Sequence, residues 1–503
     1  MLLIAIVALS ASPGAAGSSA PREDARTERT GRSIVASALA AQGGEERLRA
    51  VRSVQWSADG YRNMLEQSER PEGPYFTEFQ SVSETDDIEH DRMRSTVSAT
   101  VQPFGTTTST TILAGGIIMR VSGDAKAPGT SAQVQVARER QRLSPERLLL
   151  TAATAQDLRR LADVSLQSIR QEVVTFTLDG APVTIYFNSA THLPTAMDYS
   201  GPLARSGYWS FLGDVTRRTL YGFWSVDPSG IRYPMQLNFE SNGLPDSMLA
   251  IHDLRINGKL DESGLTIPEP VRSSFLAAKS KPAPALAAEQ VIAPGIVFVP
   301  GSWNTTIVRQ DDGIVVIEAP ISTAYSQLVI AAARRLFPGV PIKALVTTSD
   351  SWPHFAGIRE YVASGVPVYA LDLNIPILSR NAAAPYSSKP DLQERLRHRP
   401  LFRPVSHALT IGTGVNRLEL IPIRGETTER QMIVYFPGHR LLYGSDAFQR
   451  DGSGTFTFQQ AVDEVVAAAA RERLGVDRFY MMHIGPTGWS SLPKAAAAVG
   501  NSQ

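Results

Sequence analysis

The sequence predicts an α+β protein in which an antiparallel, strand-rich domain precedes a layered α/β domain. At 503 residues the chain exceeds the size at which one hydrophobic core usually stops growing. Apolar residues make up 43% and charged residues 19%, so the chain can bury sizeable cores. Short alternating segments dominate residues 54–239, whereas strand, helix and strand follow one another from residue 296. We therefore expect two domains of different architecture.

Charge and cysteine content exclude several classes of function. Lys plus Arg and Asp plus Glu both number 49, which gives no net charge and none of the basic excess that duplex binding demands. Nucleic acid is therefore not an expected partner. The chain has no cysteine, which excludes disulfides, thiolate metal ligands and a cysteine nucleophile. Any metal has to be held by histidines and carboxylates.

The N-terminus has the pattern of a signal peptide. An apolar run from Leu2 to Leu9 is followed by small residues from Ser10 to Ala20 that offer cleavage sites. The run is too short to span a bilayer as a helix. We predict a signal peptide at 1–20 and a periplasmic or secreted mature chain without a membrane span. Since no Lys or Arg precedes Leu2, a misassigned start or a buried segment stays an alternative.

The first domain begins with helices and continues with strands. Apolar spacing from Ser33 to Val51, interrupted by glycines, predicts two short helices. Val173–Leu178 and Val183–Phe187 alternate around an Asp-Gly turn, which predicts a β-hairpin. A helical stretch is expected near Pro145–Leu161. These features indicate an antiparallel sheet with a few helices.

The strand order of this region, together with Ile231–Pro234 and a closing strand at Ile256–Pro268, resembles the periplasmic lipoprotein-carrier proteins. The resemblance covers residues 30–272 and implies an open antiparallel half-barrel that holds an apolar ligand. Residues 273–294 are rich in Ala, Pro and Lys and lack a sustained apolar period, so we place a linker there. The alternative is an arm packed on both halves.

The second domain starts with buried strands. Ile296–Pro300, Thr305–Val308 and Ile314–Ile317 read as strands, Tyr325–Phe337 as an amphipathic helix and Ala344–Thr347 as a further buried strand. This succession predicts a layered α/β domain.

The loop after the last of these strands carries a damaged metal-binding motif. Residues Thr348–Gly357 resemble the THxHxDHxGG signature of the metallo-β-lactamase-fold superfamily. The two leading histidines fall at Ser349 and Ser351, and the aspartate falls at Pro353. Only the final histidine is kept, as His354.

Two later segments continue the resemblance. Thr428 stands where the family places a third histidine, Asp446 matches the bridging aspartate and His483 matches the last histidine. The resemblance covers residues 295–495 and implies an αβ/βα sandwich domain. In the family, one metal site uses the two leading histidines and the middle one, and all three are lost here.

The resemblance implies a second site of His354, Asp446 and His483. Two imidazoles and a carboxylate can hold one Zn or Fe(II) ion with an open position. Pro353, at the lost aspartate, can neither bind a metal nor act as a base. We predict one ion or none. Catalytic residues are not assigned, and the carboxylates nearest the cleft loops in sequence, as alternative bases, are Asp350, Glu426 and Glu429.

Two functions stay open. The first is a secreted hydrolase-like protein of the metallo-β-lactamase fold, with at most one zinc or iron ion, acting on ester, lactone or lactam bonds. The second is a non-catalytic periplasmic binding protein for a small-molecule or apolar ligand, built on a retired metallohydrolase scaffold. Trp352 fits either function, because it lines a pocket in one and fills the space of the lost ligands in the other.

Overall fold

The protein is described by a computed structural model over residues 29–65, 75–102, 104–201, 213–278, 286–451 and 453–493. Within these ranges the chain forms a 13-stranded antiparallel sheet and two smaller sheets of seven and six strands, which makes it an α+β structure. The predicted signal peptide lies outside the described residues. No helix in the described part of the chain combines the length and apolarity needed to cross a bilayer.

The large sheet contains the first thirteen strands. They are β1 Ser53–Asn63, β2 Thr77–Asp87, β3 Arg92–Val101, β4 Gly105–Ala114, β5 Ile117–Ser122, β6 Ala125–Pro128, β7 Arg159–Leu166, β8 Ile169–Leu178, β9 Ala181–Asn188, β10 Pro194–Tyr199, β11 Arg217–Val226, β12 Arg232–Ser241 and β13 Leu244–Ile256. In space the order runs from β6 through β1 to β13 and back down to β7, so β6 and β7 form its two edges.

Helices cover this sheet at two places. They are α1 Gly31–Gln42, α2 Glu45–Arg49, α3 Ser131–Arg142, α4 Leu148–Thr154 and α5 Glu269–Ala278. The first, second and fourth helices share an apolar core with the strands around β8 to β12. The third and fifth pack with β3, β4 and β5 in a second core. Burial of these apolar faces is what holds the helices against the sheet.

Most sequence predictions for this region are confirmed, and two are wrong in extent. The hairpin of β8 and β9 turns at Asp179 and Gly180, both with positive φ. The helix expected over Pro145–Leu161 ends at Thr154, and β7 takes over from Arg159. No strand runs through Ile256–Pro268, because β13 ends at Ile256 and the following segment turns through a short 3₁₀ helix that Asp261 caps.

The two smaller sheets lie in the C-terminal part. One comprises β14 Gln290–Ala293, β15 Ile296–Val299, β16 Thr305–Gln310, β17 Gly313–Ile317, β18 Ile342–Thr347, β19 Val368–Leu371 and β20 Phe402–Val405. The other comprises β21 Leu409–Ile411, β22 Leu418–Pro422, β23 Met432–Phe436, β24 Leu441–Tyr443, β25 Arg478–Tyr480 and β26 Thr487–Gly488. Both are mixed sheets, since β17 to β20 run parallel to one another and β24 runs parallel to β25. The predicted buried strands and amphipathic helix of this region are confirmed.

These sheets form the inner layers of a four-layer arrangement. The helices are α6 Thr323–Leu336, α7 Trp352–Phe355, α8 Ile358–Ala363, α9 Ile375–Ala383, α10 Leu392–Leu396 and α11 Gln459–Arg471. One apolar core joins side chains of both sheets, a second joins the seven-stranded sheet to α6, α8 and α9, and a third joins the six-stranded sheet to α11. The order is therefore helix, sheet, sheet, helix.

The N-terminal and C-terminal parts touch through a polar contact. The Asp214 carboxylate accepts hydrogen bonds from the backbone amides and hydroxyls of Ser387 and Ser388, at 2.5 to 3.2 Å. The Asp214 amide donates to the Pro385 carbonyl at 2.7 Å. Both ends of the predicted linker 273–294 are ordered, one in α5 and the other in β14.

Candidate functional site

The loops that follow β17, β18, β24 and β25 meet at one end of the sandwich. The Thr348 hydroxyl, just after β18, lies 2.7 Å from the Ser445 hydroxyl, just after β24. The Met482 amide, after β25, donates to the Ser445 carbonyl at 2.8 Å. The structure therefore brings together the loops that carry His354, Asp446 and His483.

A buried carboxylate that the sequence does not predict organises this end. Glu318 follows β17 and is 1% exposed, while His354 is fully buried. Oε1 of Glu318 lies 3.0 Å from Nδ1 of His354 and accepts hydrogen bonds from the Thr348 hydroxyl and, at 3.0 Å, from the Tyr443 hydroxyl. We call the set Glu318, Thr348, His354, Tyr443 and Ser445 the Glu318 network.

Two members of the Glu318 network have an unusual backbone. Glu318 has φ of 71° and Ser445 has φ of 61°, in the left-handed region that non-glycine residues seldom adopt. Glu318 directly follows β17 and Ser445 comes two residues after the end of β24, and the side chains of both enter the network. Such conformations persist only where the surrounding contacts enforce them. The hydrogen bonds of the network supply that enforcement.

Asp446 and His483 form a pair beside this network. Nε2 of His483 lies 3.5 Å from Oδ1 of Asp446, which also accepts a hydrogen bond from the Gln449 side chain at 3.1 Å. Asp446 is 12% exposed and His483 is 29% exposed. Trp303 contacts the rings of both His483 and Trp352, edge to face. The pair thus lies between the buried network and a surface cleft.

That cleft has a volume of about 410 Å³. Its lining contains one histidine, His483, beside Gln449 and Arg450, and the rest comes from residues 484–487. His354 does not line it, because that side chain is fully buried. Trp352 is 4% exposed and packs in the apolar core, so it fills space and does not line this cleft.

The positions of the lost histidines are closed by hydroxyl groups. Ser349 and Ser351 are buried, and the Ser351 amide donates to the Ser349 hydroxyl at 3.2 Å. Thr428 is fully buried and donates its hydroxyl to Oε2 of Glu464, in α11, at 2.6 Å. Glu464, which the sequence does not predict either, also accepts the Thr428 amide at 3.0 Å.

The carboxylates considered as substitutes are placed differently from one another. Asp350 is buried, and its Oδ2 lies 3.9 Å from Nε of Arg430. Glu426 is exposed and accepts a hydrogen bond from Gln460 at 3.3 Å. Glu429 is half-buried. None of these contacts involves His354 or His483.

Burial and charge within the site raise three pKa values. Burial opposes protonation of His354, but the Glu318 and Asp446 carboxylates outweigh it and raise the pKa of the imidazole. Burial raises the pKa of the Asp446 carboxyl, against the opposing effects of His483, His354 and Gln449. Burial also raises the pKa of the Tyr443 hydroxyl, so Tyr443 stays a neutral donor to Glu318.

The fit of a metal ion can be tested on these contacts. The 3.5 Å between Asp446 and His483 is close to the spacing of two ligands of one ion, given bond lengths of about 2.0 Å. His354 turns Nδ1 to Glu318, as metal-binding histidines often turn their second ring nitrogen to a carboxylate, and its buried Nε2 has no hydrogen-bond partner. Among the described residues, no cluster of three or more His, Asp or Glu side chains is arranged to hold a metal. The described side chains therefore do not form a complete ligand set in this arrangement, and the trio His354, Asp446 and His483 stays a prediction.

Comparisons with known proteins concern the fold. No protein-family profile and no curated protein matches the chain. Solved structures that match include a metallo-β-lactamase from Pontibacter korlensis, 15% identical over 40% of this chain and 94% of that one, with a TM-score of 0.32. The metallo-β-lactamase FIM-1 from Pseudomonas aeruginosa in its mono-zinc form is 15% identical over 42% and 92%, with a TM-score of 0.33.

A third match is the inverting sec-alkylsulfatase Pisa1 from Pseudomonas sp., 16% identical over 40% of this chain and 39% of that one, with a TM-score of 0.31. Each of these metallo-β-lactamase-fold matches covers about 40% of this chain. The resemblance of the N-terminal part to lipoprotein carriers stays a prediction.

Proposed function

We propose that this chain is a non-catalytic binding protein built on a metallohydrolase-like scaffold. The observation that carries the proposal is the Glu318 network, in which the loops of the expected metal site bond to one another. Oε1 of Glu318 contacts Nδ1 of His354 and accepts hydrogen bonds from the hydroxyls of Thr348 and Tyr443. Buried polar groups are stable when they are satisfied in this way. In this proposal the network stabilises the fold by connecting the loops that follow β17, β18 and β24.

The replaced positions support the same function. Where an active site needs groups that reach a substrate, Ser349, Ser351 and Thr428 are buried, and Thr428 is held by Glu464. A hydroxyl is a poor ligand for zinc compared with an imidazole. His354 is also out of reach of the surface cleft. In this proposal the loops that carry these three residues stabilise the sandwich and do not contact a substrate.

A second candidate is a hydrolase with one metal ion, acting on ester, lactone or lactam bonds. It is favoured by the 3.5 Å spacing of Asp446 and His483 and by the unpartnered Nε2 of His354. Since Glu318 contacts Nδ1 of His354, an ion on Nε2 would not have to break that contact, and the carboxylate would hold the ring as it does in many metal sites.

Turnover measurements separate the two functions. The protein, expressed without a His tag, is incubated with ester, lactone and lactam substrates, with and without added zinc. The double variant His354→Ala/His483→Ala is the control. We expect wild type and control to give the same background rate. Zinc-dependent turnover that the double variant lacks would establish the hydrolase.

We further propose that residues 30–272 and 295–495 are two domains joined by 273–294, that residues 1–20 are a signal peptide and that the mature chain is periplasmic or secreted. The separation of the strands supports the division, since the large sheet lies within 53–256 and the smaller ones within 290–488. N-terminal sequencing of protein recovered from the periplasm of a bacterial host tests the leader. A mature chain starting near residue 21 is expected, and an intact Met1 would contradict it.

A further inference from the structure

A second cleft lies in the N-terminal part, between α3, the turn that follows it and the end of β2. Its volume is about 620 Å³, within the range of sites for small organic ligands. The lining is mainly polar and charged, and it consists of Asp86, Ile88, Asp91, Ser131, Val134, Gln135, Arg138, Gln141, Arg142, Glu146, Arg147 and Asp179. This lining does not suit the apolar ligand that the carrier resemblance implies.

Carboxylates form the buried part of this cleft. Asp86 and Glu146 both line it and are 3% and 2% exposed, and Glu84 lies beside Asp86 at 7% exposed. We call these three side chains the acid cluster. The strand pairing explains their position, because Glu84 and Asp86 lie on the same face of β2, two residues apart. Glu146 reaches the same place from the turn between α3 and α4.

The acid cluster has fewer partners than its charges require. Arg140 forms an ion pair with Glu84, and Gln141 donates to Oδ1 of Asp86 at 3.3 Å. The Ser144 hydroxyl donates to Oε1 of Glu146. The ion pair of Arg140 thus involves one of the three carboxylates, Glu84.

One oxygen of the acid cluster has no donor. Oε2 of Glu146 is buried and has no donor at hydrogen-bond distance within the described residues, although the Tyr233 hydroxyl interacts with this carboxyl closely enough to lower its pKa. The buried Tyr221 hydroxyl likewise has no hydrogen-bond partner there, and it lies close enough to Glu146 for the carboxylate to raise its pKa. An unsatisfied buried carboxylate oxygen costs free energy unless a donor arrives from outside.

The arginines at the rim of the cleft do not supply that donor. Arg138 forms an ion pair with Asp91 at 2.8 Å, and Arg142 forms one with Asp179. Both pairs lie at the partly exposed mouth, and Arg147 also lines the cleft, so three arginines face four carboxyl groups, of which Asp86 and Glu146 form the buried part.

We propose that this cleft binds an organic cation that carries a primary ammonium group, with the ammonium between Asp86 and Glu146. This proposal rests on the proposed binding function and names its ligand class. An ammonium group donates three hydrogen bonds and carries one positive charge. It would donate a hydrogen bond to Oε2 of Glu146 and offset the negative charge of Asp86 and Glu146. The cleft is far larger than a metal ion requires, so its remaining volume takes the organic part of the ligand.

The state of the empty cluster agrees with this assignment. Burial raises the pKa of Asp86, and the nearby Glu84 and Glu146 carboxylates raise it further against the effect of Arg140. Burial likewise raises the pKa of Glu146. The charged form of the cluster is therefore held at a cost without a cation, and a bound ammonium offsets that cost.

Isothermal titration of the full mature chain with spermidine, a primary amine, tests the proposal. Octanedioate, a dianion of similar length, is the ligand control. The variants Glu146→Gln and Asp86→Asn remove one charge each while keeping the side-chain shape, and Asp253→Asn, at an exposed carboxylate on β13, is the matched control variant.

We expect spermidine to bind wild type and Asp253→Asn equally, and each cleft variant roughly tenfold more weakly, the scale of one charge-assisted hydrogen bond. Octanedioate should not bind. No spermidine binding to wild type, or equal binding to Glu146→Gln, would overturn the proposal. If Asp86→Asn fails to fold, Glu146→Gln alone decides. The turnover assay tests the binding function separately, so failure of the cation leaves that result unchanged.

Discussion

The Glu318 network and the acid cluster are both buried and both centred on carboxylates, but they differ in how far the protein satisfies them. Oε1 of Glu318 is met by His354, Thr348 and Tyr443. Oε2 of Glu146 is met by no donor in the described part of the chain. A carboxylate whose buried oxygen is met by donors stabilises the fold, whereas one with an unmet oxygen keeps capacity for an external donor. The comparison places the expected active site and the proposed cation site in different parts of this molecule.

Removal of Glu318 should have the largest effect. Glu318→Ala leaves His354, Thr348 and Tyr443 buried without their acceptor, so we expect a loss of about 3–5 kcal/mol in unfolding free energy. Urea unfolding followed by circular dichroism measures it. Asp477→Asn, in the exposed pair with Arg440, is the control and should leave the midpoint in place. An unfolding midpoint of Glu318→Ala equal to that of wild type would mean that the network does not stabilise the fold.

Loss of the Thr428 hydroxyl should have an intermediate effect. Thr428→Val keeps the shape of the side chain but removes its hydrogen bond to Glu464, and we expect a loss of about 1–2 kcal/mol. The same unfolding measurement applies. A stability equal to wild type would show that the backbone amides and the Thr427 hydroxyl suffice to hold the loop on Glu464, which would weaken the comparison at this position.

The acid cluster should respond to pH in the opposite sense from an ordinary salt bridge. Because the pKa of Asp86 is raised in the folded chain, its contribution is fully present below the unfolded value, about 3.9, and is lost as pH rises through the folded value. Asp86→Asn imitates the protonated carboxyl, so wild type should lose stability relative to this variant as pH rises. Urea midpoints of both chains at several pH values between about 4 and 8 measure the difference. A difference that stays constant would contradict the raised pKa.

The smallest effect concerns the protonation of His354. Since Glu318 and Asp446 raise the pKa of this buried imidazole, it should keep its second proton above the pKa of a free histidine, about 6.5. Nitrogen-15 NMR of the imidazole during a pH titration reports this directly. The variant Glu318→Gln should lower the midpoint. A midpoint below that of free histidine in wild type would mean that burial outweighs the carboxylates.

The sequence predicts the C-terminal strands, the first helix after them and the loops that bear the motif, because apolar runs and a spaced motif are local signals. Glu318 is not predicted as a site residue, since a single acid after four apolar residues looks like any strand end. Its role depends on a positive φ and on contacts with Thr348 and Tyr443, which are distant in the chain.

The acid cluster escapes prediction for a related reason. Glu84 and Glu146 are 62 residues apart, and only the packing of the turn after α3 against β2 brings them together. The same limits apply to element ends. The helix expected up to Leu161 ends at Thr154, because the edge strand β7 pairs with β8 from Arg159 onward. Tertiary pairing overrides local periodicity at such boundaries.

Metal content tests the central claim, that the protein's own side chains hold these loops together without a metal ion. Mature protein without a His tag is analysed by mass spectrometry beside His354→Ala/His483→Ala, after dialysis against zinc and then against metal-free buffer. We expect wild type to be folded with metal far below one ion per chain and indistinguishable from the double variant. About one ion per chain in wild type, lost in the double variant, would contradict the claim and establish a metal site at His354, Asp446 and His483.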